Sequence, residues 1–242
     1  MDEATSCRKK QEWVSLVKGE LYQQVLVLAF ERDMYEEYQE VLADSTKEVK
    51  KATVFHDWLK GLYVTNVSVG VRRVTDRDRR VVSLVKLLED IEKYAACITR
   101  EWYLGHYEDA FLRQQIGEPA FDAWGRETLE PMLVAEDRGR IVDATSAVKR
   151  YVDKRLAHHE RTFEESIDVT WSELNTAVDV IEQVFCRYYE LLTASSLMIN
   201  DITHQHWDHI FWNPWVESPE SVKRYREMVE SLPELVGESE DA

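Results

Sequence analysis

Glycine and proline are scarce, with 8 and 5 in 242 residues. An all-β or loop-rich fold spends those residues on turns, so their scarcity argues against one. Cysteine is scarce too. Cys7, Cys97 and Cys186 lie far apart with no C-x-x-C pair. That excludes a zinc-ribbon signal and a disulfide framework, and fits a reducing compartment. Long apolar runs are missing. The longest, VLVLAF at 25–30, is far too short to span a membrane. The opening MDEATSCRKK has no apolar stretch of the signal-peptide kind. These absences lead us to expect a soluble cytoplasmic protein away from membranes. Net positive charge is absent as well: the chain carries −16, which argues against general coating of nucleic acid.

What is present is helical pattern. Hydrophobic residues make up 44% of the chain, enough for one sizeable core. Eight Trp and eleven Tyr are expected mostly inside it. Trp13, Val17, Leu21, Leu28, Tyr35, Tyr38 and Leu42 recur at helical spacing and predict one long helix over 9–43. Helix continues over 47–63, and the β-branched stretch 64–71 reads as helical or irregular. A helix is expected over 78–104, capped by Asp76 or Asp78 and ended by Gly105. A short helix over 106–116 would be broken by IGEP, with further helices at 119–138 and 140–155. The strongest pattern is Trp171, Leu174, Val178, Ile181, Phe185, Tyr188 and Leu192, a heptad-like seam. It reads as a core helix of a bundle, with a dimerising coil as the alternative. The expected fold is all-α, a bundle of five or six helices over 1–198. A short aromatic helical extension over 199–233 and an acidic disordered tail over 234–242 would follow.

The charge is unevenly spread. Residues 72–80 (RRVTDRDRR) and 149–161 (KRYVDKRLAHHER) each carry +3, leaving −22 on the rest. Two solvated helix ends would account for them. So would one phosphate-facing patch built from both.

Two histidine clusters compete as sites. NDITHQHWDHIFWNP (200–214) contains His204, His206, Asp208 and His209 in an H-x-H-x-D-H pattern, the signature of metallo-β-lactamase-type hydrolases. In that fold the motif follows a strand. Here it follows a helical seam, and on a helix His204 and His206 would lie about 200° apart. Only 33 residues follow His209, and none is histidine. We therefore expect no metal ligands, and read the stretch as an aromatic helix closing the bundle or a dimer.

The second cluster, YVDKRLAHHERTFEE, places His158 and His159 beside Lys154, Arg155 and Arg150. Neutral histidine can take a 2′-hydroxyl proton, and Arg or Lys can hold a phosphate and its developing charge. That chemistry is RNA cleavage without a metal or other cofactor. A polar helix end, with His and Arg satisfying local carbonyls and carboxylates, is the competing reading.

The segment VGVRRVTDRDRRVVSLVKLLEDI (69–91), YVDKRLAHHE and TWSELNTAVDVIEQVFCRYYELL together resemble the HEPN superfamily, in particular its phage abortive-infection branch. Arg73, Thr75, Asp76, Ser83, Leu84, Leu87 and Leu88 match one motif of that branch; Lys154, Ala157 and His158 match another. The resemblance implies an all-α bundle, usually a homodimer. Many members cleave RNA with an Arg and a His four to six residues apart at the dimer interface, and others are inactive binding modules. It implies catalytic roles for His158, His159, Arg155, Lys154 and Arg150. Phosphate or RNA contact falls to Arg72, Arg73, Arg77, Arg79 and Arg80. Where the pattern places an arginine with five residues between it and His158, this chain has Val152; the same spacing before His159 gives Asp153, and Lys154 has four residues between it and His159. The alternative is therefore a non-catalytic HEPN-like regulatory or assembly module that binds a partner protein or a nucleotide.

Overall fold

A computed structural model describes residues 3–156 and 168–199, together with Glu220, Lys223, Arg224 and Glu227. The chain divides into two compact units, Met1–Thr203 and His204–Ala242. In the second, Lys223 and Glu227 pair one helical turn apart. All that follows concerns the first.

The order of elements is α1 (Glu3–Lys18), α2 (Glu20–Asp44), α3 (Lys47–Lys50), α4 (Thr53–Val74), α5 (Leu84–Lys93), α6 (Arg100–Leu104), α7 (Ala110–Leu112), α8 (Glu118–Asp122), α9 (Pro131–Tyr151) and α10 (Trp171–Thr193). Among the described residues six helices reach ten residues or more. None is long and apolar enough to cross a membrane. No strand forms among them beyond one antiparallel bridge, Thr99 to Thr128. The all-α bundle is thus observed.

α10 is the hub. Thr170 and Glu173 form a reciprocal capping box at its start: the Thr170 hydroxyl accepts from the Glu173 N–H, and the Thr170 N–H donates to the Glu173 carboxylate at 2.8 Å. Leu174, Val178, Ile181, Phe185, Tyr188 and Leu192 are buried against α9, α1 and α2. The heptad-like seam is therefore consumed inside the chain, which settles the bundle reading over the dimerising coil.

Several boundaries differ from expectation, each for a local reason. The 9–43 helix is two helices meeting at Gly19, where an added Cβ would lie 2.9 Å from the Ser15 carbonyl oxygen. The 47–63 segment breaks at Lys51–Ala52. Beyond the break α4 runs through the β-branched 64–71 stretch, because Val67 and Val71 fall on its core face. The 78–104 helix begins only at Leu84. Its cap is Ser83, whose hydroxyl accepts from the Lys86 N–H at 3.3 Å, rather than Asp76 or Asp78. Those aspartates instead hold the connecting loop: Asp76 accepts from the Asp78 N–H at 2.8 Å and Asp78 from the Arg80 N–H at 2.9 Å. The same helix ends at Lys93, and Thr99 caps a separate α6. IGEP does not break a helix. A π turn over Arg113–Gly117 carries α7 into α8, with Pro119 in the first turn, where its missing N–H costs nothing.

Finally, 119–138 and 140–155 are not two helices. The real break is the turn at Gly125, whose φ of 148° suits glycine, and α9 then runs through Gly139. A Cβ at Gly139 would meet nothing within 4 Å. Gly139→Ala is therefore expected to stabilise the fold by about 1 kcal/mol, since the helical backbone is retained and the unfolded chain loses freedom. Urea unfolding measures this, and a loss of stability would show that the site is not open.

Candidate phosphate-binding site

The two basic islands meet. Val71 and Val74 bury one side of the last turn of α4, which turns Arg72 toward the end of α9. There Val148 and Val152 are buried and Lys149 and Asp153 flank them. Arg72 Nε donates to Asp153 Oδ1 at 3.1 Å, and Arg72 Nη1 pairs with Asp76 at 2.9 Å. Thr75 ends α4 by bonding its hydroxyl back to the Val71 carbonyl at 2.8 Å. The Ser83 hydroxyl then donates to the Asp76 carbonyl at 2.5 Å, which anchors the loop.

Lys149 sits between these groups, half-buried. Burial, with Arg72 and Arg77 close by, holds its ammonium below the ordinary lysine range, while Asp153 and Asp76 pull the other way. Arg72 moves oppositely: although burial works against its charge, Asp153 and Asp76 favour the charged form and raise its pKa. This is a compact group of cations with two carboxylates and incomplete hydration. An arriving phosphate can replace a carboxylate on Arg72 and neutralise Lys149, which is the electrostatic requirement of an oxyanion site.

The other expected phosphate contacts are distributed. Arg77 faces Glu89 on α5 at 3.8 Å, on the side of Lys149. Arg73 is exposed in a groove between α2 and α4, about 100° around the helix from Arg72. Arg79 and Arg80 line a third place, a groove between α1 and α5 with Lys9 and Lys86, and Arg80 is paired there with Asp78 at 2.6 Å. The 72–80 island is therefore split, with Arg72 and Arg77 joining the 149–156 segment. The sequence pattern did not single out Lys149; its signal was its place one helical turn before Asp153.

Beyond α9 the chain makes a π turn over Val152–Leu156, a distortion often found at functional sites. Lys154 and Arg155 ride on it, with Arg150 just before, and Arg155 faces Asp168 at 3.8 Å. His158 and His159 follow directly and lie outside the described residues, as do His204, His206, Asp208 and His209. The described histidines hold structural bonds: His56 contacts Tyr38 and the Val49 carbonyl, and His106 the Tyr103 carbonyl. Among the described residues no group of three His, Cys, Asp or Glu is placed to hold a metal ion.

No curated protein and no solved structure matches the chain. A family model does: HEPN_AbiU2, described as AbiU2, matches residues 10–210. That match spans α2, α4, α9 and α10 and includes both basic islands. The chain belongs to this HEPN family of the abortive-infection type.

Proposed function

We propose that the protein is a phage-defence endoribonuclease that cleaves RNA without a metal and acts as a dimer in the cytoplasm. The observation that carries this reading is the meeting of the two basic islands at Arg72, Lys149 and Asp153. Arg72 and Lys149 hold the scissile phosphate, with Arg77 close by. Arg150, Lys154 and Arg155 lead to His158, which takes the 2′-hydroxyl proton, with His159 second. The 2′-oxygen then attacks phosphorus, and the 5′-oxygen leaves with a proton from a conjugate acid. Arg73, Arg79 and Arg80 contact more distant phosphates.

The test is cleavage of total RNA by purified full-length protein in excess EDTA. His158→Ala and Lys149→Ala are each expected to lower the rate by about 10²–10⁴-fold. Intact RNA with wild-type protein at high enzyme concentration overturns the reading.

One observation favours the alternative. Val152, at the position where the resemblance places an arginine, is only 7% exposed. Its direction is inward, so an arginine there would not reach a phosphate. A non-catalytic HEPN-like module that binds a partner protein or a nucleotide accounts for this. A stable complex with a second cellular protein, together with intact RNA, would establish it.

A further inference from the structure

The groove between α2 and α4 has a volume of about 430 Å³ and a polar group at each end. The two helices run antiparallel, as Tyr35 stacking on Tyr63 at 4.4 Å and Leu28 against Gly70 show. That register sets Glu31 level with Asn66 at one end of the groove, and Gln24 level with Arg73 at the other. The two ends are seven residues apart, about 10 Å along the helices.

Three of these groups lack a partner. Glu31 is partly buried with no ion pair among the described residues, and burial raises its pKa. The Gln24 amide Nε2 donates to Glu20 at 3.1 Å. A carboxylate can only accept, so that bond fixes which way the amide faces. Its oxygen is left buried without a hydrogen-bond partner among the described residues. Arg73 is exposed and has no carboxylate partner among them. Between the two ends stand Val27 and Val69, both exposed apolar side chains. A molecule that fits must be flat and apolar on its faces. It must donate hydrogen bonds at the Glu31 end and carry negative charge at the Arg73 end.

We propose that this groove binds a guanosine phosphate, with the base on Glu31 and the phosphate on Arg73. Guanine is the common base whose edge offers two adjacent N–H donors, which match the two oxygens of one carboxylate. Adenine and cytosine set a ring acceptor beside their amine, and uracil has one N–H between two carbonyls. The Asn66 amide donates to the guanine carbonyl beside those donors. A ribose hydroxyl donates to the Gln24 oxygen, and Val27 and Val69 cover the base. A free mononucleotide and a guanosine within RNA share this chemistry. The RNA source rests on the nuclease reading above. Arg72 and Arg73 point about 100° apart, so a strand whose scissile phosphate lies on Arg72 places a neighbouring nucleotide around the end of α4, in this groove. The free mononucleotide needs no such reading.

Calorimetry of the full chain with guanosine monophosphate is expected to show saturable binding below roughly 1 mM. Adenosine, cytidine and uridine monophosphates should bind about tenfold more weakly or worse, as should inosine monophosphate, which lacks the second donor. Glu31→Gln should bring guanosine monophosphate down to the inosine level. Arg73→Gln should weaken guanosine monophosphate and leave the nucleoside guanosine unchanged, a split that a purely structural role does not give. RNA is the second arm. Full-length His158→Ala protein is titrated with adenosine-rich RNA hexamers carrying one guanosine or one inosine, read by fluorescence anisotropy. A guanosine preference that Glu31→Gln abolishes identifies RNA as the source. Selective mononucleotide binding without that preference identifies the free nucleotide. Absent or unselective mononucleotide binding, together with equal binding of the two hexamers, overturns the proposal. So does a guanine preference that survives Glu31→Gln. If Glu31→Gln fails to fold by circular dichroism, the inosine comparison and Arg73→Gln decide. Neither arm requires RNA to be cut, so a failed groove and a failed nuclease reading are distinguishable.

Discussion

Arg32→Ala is expected to destabilise the fold by about 2–3 kcal/mol, because it leaves the partly buried carboxylates of Asp33 and Glu182 without their cation. Arg32 lies on α2 and is 6% exposed. Its guanidinium donates to Asp33 at 2.7 Å, to Asp179 at 2.5 Å and to Glu182 at 3.1 Å, the last two on α10. One cation thus ties two helices through three acids. Glu182 reports the strain: burial raises its pKa above the ordinary 4.5, even though Arg32 pulls it down. A carboxyl with a raised folded pKa contributes stability below its unfolded pKa and loses it as pH rises through the folded value. Removing Arg32 removes the downward pull, so the folded value climbs further and the window widens. The defect of Arg32→Ala should therefore be largest near pH 7.5 and shrink as pH falls toward 5. Urea midpoints at both pH values check this. An equal loss at both would mean that the acids relax to solvent instead.

The second large effect falls on α1. Trp13 is fully buried, and its indole N–H donates to Asp90 Oδ2 at 2.8 Å; Lys9 reaches the same oxygen at 2.8 Å. Trp13→Ala leaves a large cavity between α1 and α5 and should cost about 3–5 kcal/mol. Trp13→Phe keeps most of the volume and leaves Asp90 its lysine. It loses the indole bond, worth about 1 kcal/mol, and a smaller packing term. Thermal unfolding of both separates packing from hydrogen bonding. Comparable losses in the two would assign the role to the Asp90 bond.

Much of the bundle was legible because burial writes a period into a helix. The α10 seam was read nearly to its ends, since each apolar position there meets another helix. Boundaries were less legible. Gly139 looked like a stop and is not one, because a helix tolerates glycine for about 1 kcal/mol when tertiary contacts hold both sides. Gly19 looked tolerable and marks a break. Asp76 and Asp78 had the chemistry of caps, yet Ser83 took the role, because Leu84 and Leu88 must face the core. The expectation that aromatics fill the core held for Trp13 and Trp124 and failed at Trp58. Nothing in a single chain distinguishes a stripe that faces the core from one that faces outward.

By itself the sequence determined the class of fold and the residue types of the candidate site, because periodicity and local charge are properties of neighbours along the chain. Only the tertiary structure decided which cations share a place. Arg72 and Arg73 are adjacent in sequence, yet a turn of about 100° sends one to Asp153 and the other to the α2 groove. Arg72 and Lys149 are far apart in sequence, yet the packing of α4 on α9 puts them in one electrostatic group. Coulomb interactions depend on distance through space, and the packed core sets that distance.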